Sequence, residues 1–120
     1  TISHDVATGH WEEWGRLDRW YSKQFSYFLD KMKNTTDVNG SLLDNTLILY
    51  GSACSTTHNA RNYPLILAGG SDLGVKHGSY TVFEEKDERM SNLLLSMLNK
   101  LDIEKESFSD STGKLSTNII

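Results

Sequence analysis

The sequence predicts an α/β fold: a partial three-layer α/β/α sandwich, with two or three short strands flanked by two amphipathic helices. Three observations carry this. Two short apolar runs, Thr46–Ser52 and Pro64–Ala68, are bounded by turn formers. A stretch of helical periodicity lies on either side of them in sequence. The composition is globular, with 38% hydrophobic and 23% charged residues. At 120 residues the chain fits one domain with a modest core.

The first helix is expected over residues 12–33. Trp14, Leu17, Tyr21, Phe25, Phe28 and Met32 recur at steps of three and four. Trp20, Tyr27 and Leu29 widen the stripe. Residues 34–41 read as a linker of turn formers. Asn34 and Asn39 each match the glycosylation pattern, which acts only in a secretory eukaryotic context. The run Thr46-Leu-Ile-Leu-Tyr-Gly-Ser then suits a strand buried on both faces. A polar loop with Cys54, His58 and Arg61 leads to Pro64-Leu-Ile-Leu-Ala, which Gly69-Gly70 ends. Ser79–Phe83 alternates like a short edge strand. Met90, Leu93, Leu94, Met97, Leu98 and Leu101 mark a second helix over about 90–101. The tail from Ser107 is polar and is expected to run over the surface.

Net charge is −4 and no basic block exists, so nonspecific binding to nucleic acid is not expected. No apolar run reaches the roughly 20 residues of a membrane span. One cysteine excludes an internal disulfide and a cysteine-based zinc site. The first residues are not a signal peptide, and the expectation is a single-domain segment, residues 1–120, of a longer protein. Strands missing from the sheet would leave an edge through which the chain pairs with its own remainder or forms a homo-oligomer.

In open α/β sheets ligands gather at the carboxyl ends of strands. That rule singles out Gly51–His58 and Gly69–Asp72. Cys54 with His58 is either a nucleophile and its base, or a thiol packed under a loop beside a surface imidazole. Ser52 after Gly51 is not a nucleophile elbow, because Cys54 stands where that motif needs glycine. Gly69-Gly70 lacks the rest of a dinucleotide fingerprint and reads as a tight turn. His4, Asp5, His10 and His58 are of metal-ligand type without a diagnostic spacing. His77, between Lys76 and Gly78, reads as an exposed loop histidine.

Several segments, in order, resemble the C-terminal part of a bacterial family called domain of unknown function 1552. They are Ser3-His4-Asp5; Arg19-Trp20-Tyr21 with Gln24-Phe25 and Phe28-Leu29; the stretch from Gly40 to Ser52; His58-Asn59; Asn62 to Gly70; and Glu106 to Gly113. The resemblance implies an exported protein, periplasmic or extracellular, several times this length. It also implies a distant relationship to the alkaline phosphatase and sulfatase superfamily. In those hydrolases an Asp-His pair that binds metal follows the equivalent strand; here Gly51-Ser52-Ala53-Cys54 follows it. The family pattern has two histidines near position 58, one residue apart, and a second histidine after His4. Ala60 and Asp5 stand there in this chain. On this resemblance His4, Asp5 and His58 are the metal ligands, for a divalent ion such as zinc or calcium, and Ser52 and Cys54 line the site.

Two functions follow as expectations. One is a metal-dependent hydrolase of phosphate or sulfate esters, whose nucleophile lies outside these residues. The other is a noncatalytic exported binding or surface protein that has lost the metal site.

Overall fold

A computed structural model describes residues 10–55, 58–83, 88–117 and 119–120. Helix α1 spans Trp11–Asn34. Its first turn carries Glu12 and Glu13 and its last turn Lys31 and Lys33, which complement the helix dipole at both ends. The His10 carbonyl accepts the Trp14 amide at 3.1 Å, and the His10 ring lies 3.4 Å from Glu13. At the other end Asn34 and Thr35 donate side-chain hydrogen bonds to the carbonyls of Asp30 and Lys31. The Thr35 hydroxyl thereby satisfies the Lys31 carbonyl, one of the last four of the helix, which have no partner within it.

The expected linker is in part a β-hairpin. Strands β1 (Thr36–Asp37) and β2 (Gly40–Ser41) pair antiparallel. Asp37 accepts the Asn39 amide at 2.7 Å, the local bond that lets Asp start a turn. The hairpin folds back on α1. Ser41 donates to the Lys33 carbonyl at 3.1 Å, and the Leu43 amide donates to that of Met32 at 3.2 Å.

Strands β3 (Ile48–Gly51) and β4 (Leu65–Ala68) form an antiparallel pair, with Ile48 opposite Ala68 and Gly51 opposite Leu65. Both are half-buried rather than buried on two faces as expected. Paired residues share a face. Ile48, Tyr50, Ile66 and Ala68 lie on one side; Leu49, Leu65 and Leu67 lie on the other. Phe25 of α1 stacks on Tyr50, with ring centroids 4.1 Å apart and planes 9° from parallel. Trp20 and Tyr27 sit roughly opposite Phe25 around the helix and are 52% and 61% exposed. No α1 residue is fully buried.

The edge strand expected at Ser79–Phe83 is not formed: that segment is irregular, and Tyr80 and Val82 are exposed. No ladder partner reaches it among the described residues. Alternation of two exposed apolar residues is not enough to form a strand without one.

Helix α2 spans Met90–Lys100. It ends where Asp102 takes φ 58°, the Asp102 amide reaches the Asn99 carbonyl, and the Ile103 amide reaches that of Leu98. This is the paired closing pattern in which glycine more often stands at the left-handed position. The polar tail is a strap on α2. Thr112 and Leu115 donate their amides to the side chains of Asn92 and Ser96, both at 2.8 Å. Ser116 donates its hydroxyl to Glu88, and Arg89 reaches the Asp110 carbonyl at 2.7 Å. Leu95, on the same helix, is fully buried. Val75 is the other buried apolar side chain among the described residues.

The radius of gyration is 16.6 Å, against about 13.6 Å for a compact domain of this length. The long α1, about 36 Å from end to end, accounts for much of that. The coarse α/β character is therefore observed, built on antiparallel pairs. Among the described residues, no helix is long and apolar enough to cross a membrane.

Candidate functional site

Antiparallel pairing decides where the two candidate loops lie. The loop after Tyr50 leaves the sheet at the Gly51/Leu65 end, while Gly69–Asp72 leaves it at the Ile48/Ala68 end. The two loops singled out in the sequence therefore lie at opposite ends of the ribbon.

At the first end, Ser52 Oγ donates to the Cys54 carbonyl at 2.5 Å and accepts the Cys54 amide at 3.3 Å. The Ser52 hydroxyl is thus engaged by its own turn. Cys54 is a half-buried free thiol. The Ser55 amide and the Asn59 carbonyl, 2.7 Å apart, close the loop. His58 is exposed and has φ 60°, a backbone conformation in which histidine is over-represented among non-glycine residues. His4 and Asp5 lie outside the described residues. Among the described residues, no three His, Cys, Asp or Glu side chains stand close enough to share a metal ion. Of the ligands the resemblance implies, only His58 can be placed. His10 is committed to the start of α1, beside Glu13.

The second end is more elaborate. A groove of about 420 Å³ opens there, lined by Lys33, Leu43, Asp44, Leu67, Ala68, Gly69, Ser71 and His77. Its walls are tied by specific bonds. Ser71 Oγ donates to Asp44 Oδ1 at 2.6 Å, and the Asp72 amide donates to the Asp44 carbonyl at 3.0 Å. The Gly70 amide donates to the Leu43 carbonyl at 2.9 Å. His77 Nε2 lies 2.9 Å from the Gly69 carbonyl. A carbonyl oxygen only accepts, so Nε2 carries the proton there and Nδ1 is the lone-pair nitrogen of the neutral ring. Gly69 has φ +72°, and a methyl group on it would meet the Leu43 carbonyl at 2.6 Å and the Thr46 carbonyl closer still. The chain crosses itself there with no room for a side chain.

Three of these groove residues were not singled out as a site in the sequence: Lys33 at the end of a helix, Asp44 before a strand, and His77 in a loop. The pairing direction brings them together, and no local signal in the sequence states that direction. The adjoining Gly69–Asp72 turn was legible as a candidate from its place after a strand.

No protein-family model, no curated protein and no solved structure matches this chain.

Proposed function

We propose that this chain is a noncatalytic binding module, with its binding site at the groove beside Gly69. One observation carries this reading: walls held by hydrogen bonds gather a cation, a carboxylate and an imidazole in a groove that the apolar residues Leu43 and Leu67 also line. Small-molecule sites are typically mostly apolar, with a few placed polar groups, and span about 300–1,000 Å³. The loop after Tyr50, by contrast, spends its serine hydroxyl on its own backbone. The test is a fragment screen on the isotope-labelled protein. Hits are expected to shift the amide resonances of Gly69, Ser71 and His77. Hits clustering instead on Ser52–His58 would overturn the assignment.

We further propose that β3 and β4 belong to a three-layer α/β/α sandwich completed by other parts of the same longer protein, as the resemblance implies. The Phe25–Tyr50 stack, the half-buried strands and the exposed rings of α1 support this. An intact mass well above 13.6 kDa in the native source is the expected result, and a product of that mass alone would reject it. Export rests on the resemblance alone.

The φ of 60° at His58 favours a second reading, in which His58 is a metal ligand with His4 and Asp5 in a hydrolase-like site. Left-handed backbone at a non-glycine residue costs of order 1–3 kcal/mol and concentrates at functional loops. Metal analysis of the full-length protein and of His58→Ala decides it: equal metal content in both would remove His58 from the ligand set.

A further inference from the structure

We propose that the groove takes a small aliphatic zwitterion, a free α-amino acid with a branched apolar side chain. This rests on the binding reading above and names the ligand class. Lys33 and Asp44 line the same groove, yet among the described residues neither takes part in an ion pair. Opposite charges that face one cavity without meeting leave space for a ligand that carries both. A carboxylate on the ligand meets the Lys33 ammonium. An ammonium on the ligand meets Asp44 Oδ2, the oxygen that Ser71 leaves open when it holds Oδ1.

His77 adds selectivity through its tautomer. With the Nε2 proton committed to the Gly69 carbonyl, Nδ1 is an acceptor and suits a second N–H of the same ammonium. Leu43 and Leu67 also line the groove and offer apolar surface against which an aliphatic side chain loses water. A purely anionic ligand leaves Asp44 facing a negative charge, and a purely cationic one leaves Lys33 facing a positive charge. Each is penalised by like-charge juxtaposition.

The walls are set before any ligand arrives. The bonds from Ser71 to Asp44, from Gly70 to Leu43 and from His77 to Gly69 fix three sides. The tie from Leu43 to Met32 holds the end of α1, and with it Lys33, at the fourth. Preorganised walls lower the ordering cost of binding. The groove is open to water, however, so each charge contact is screened and weak. Affinity in the millimolar range is expected.

The experiment is a chemical-shift titration of the full chain with L-leucine, N-acetylleucine, leucinamide and glycine. L-leucine is expected to shift Gly69, Ser71 and the His77 ring saturably, and the other three to bind at least about threefold more weakly. Lys33→Met and Asp44→Asn are each expected to weaken L-leucine by up to about fivefold. Asparagine keeps an acceptor for Ser71, so the wall survives that change. Unaltered circular dichroism and amide spectra away from the groove confirm that both variants fold. If N-acetylleucine or leucinamide shifts the same residues as strongly as L-leucine, the zwitterion assignment is wrong and the binding site stands. If none of the four moves those residues at tens of millimolar, this ligand class is rejected. Failure of the fragment screen at the same residues would then reject the binding site itself.

Discussion

Replacing Gly69 with alanine tests the backbone crossing that closes the groove. Two costs are separable. The first is conformational: φ +72° is unfavourable for any L-residue, by about 1–2 kcal/mol. The second is steric. The new methyl meets two carbonyl oxygens, those of Leu43 and Thr46, which are backbone atoms and cannot swing aside. Relieving such overpacking costs about a further 1–3 kcal/mol. Gly78 supplies the control. Its φ is +89°, and a methyl there meets nothing within 4 Å, so Gly78→Ala bears the conformational cost alone. At about 4 °C per kcal/mol for a chain near this size, Gly78→Ala should lower Tm by about 4–8 °C and Gly69→Ala by about 8–20 °C. Equilibrium urea unfolding gives the same comparison without heating. The Gly69 variant should also release the His77 ring, seen as changed chemical shifts of its carbon-bound protons. Equal destabilisation by the two substitutions would refute the crossing, because only the steric part distinguishes them.

Other consequences are equally direct. Asn92→Ala removes the acceptor of the Thr112 amide and a donor to Glu88 at a buried position; a loss of about 2–3 kcal/mol is expected, with faster amide exchange along residues 112–116. Burial pushes the Glu88 carboxyl up, but the hydrogen bonds from Ser116 and Asn92 outweigh it and hold it below its ordinary 4.5. A lowered folded value means that the stabilisation is present above pH 4.5 and is lost as the pH falls through the folded value. Glu88→Gln should therefore show a shallower loss of stability below pH 4.5 than the parent protein, and an identical acid slope in the two would count against the clamp. Phe25→Ala removes the ring stacked on Tyr50; about 2 kcal/mol and a loss of near-ultraviolet dichroism are expected, since the site is only half-buried.

The helices were legible because their signal is local. Met32 and Trp14 share a face through periodicity alone, and the structure places α1 within a residue of the expected ends. Both apolar runs became strands for the same reason. The hairpin over 36–41 was read only as turn formers, because two-residue strands are too short to show alternation. The strap was invisible for a different reason. Its order comes from Asn92 and Ser96 on α2 and from Glu88 just before that helix, polar residues that hold the amides or hydroxyls of a segment 19 to 28 residues away. A polar residue in a helix does not announce its acceptor role. Of the groove, only the turn after β4 could be read in advance. His77 looked like any exposed histidine until its ring was found on the Gly69 carbonyl.

The direction of the β3–β4 pair is what most changes the functional picture. Had the strands run parallel, both loops would share one end, and His58 would be a natural partner for Asp72. Running antiparallel, the pair separates them by its whole length of four residues, about 13 Å. Asp44, just before β3, is instead brought against Ser71, just after β4, and the hairpin β1–β2 delivers the end of α1 to the same place. The groove is thus a product of topology, in which three segments that are unremarkable alone converge at one end of a ribbon. A hydrolase site at the other end would have to be assembled from His58 and residues beyond that ribbon. The groove proposed as a binding site, by contrast, is built from residues that the described structure already holds in place.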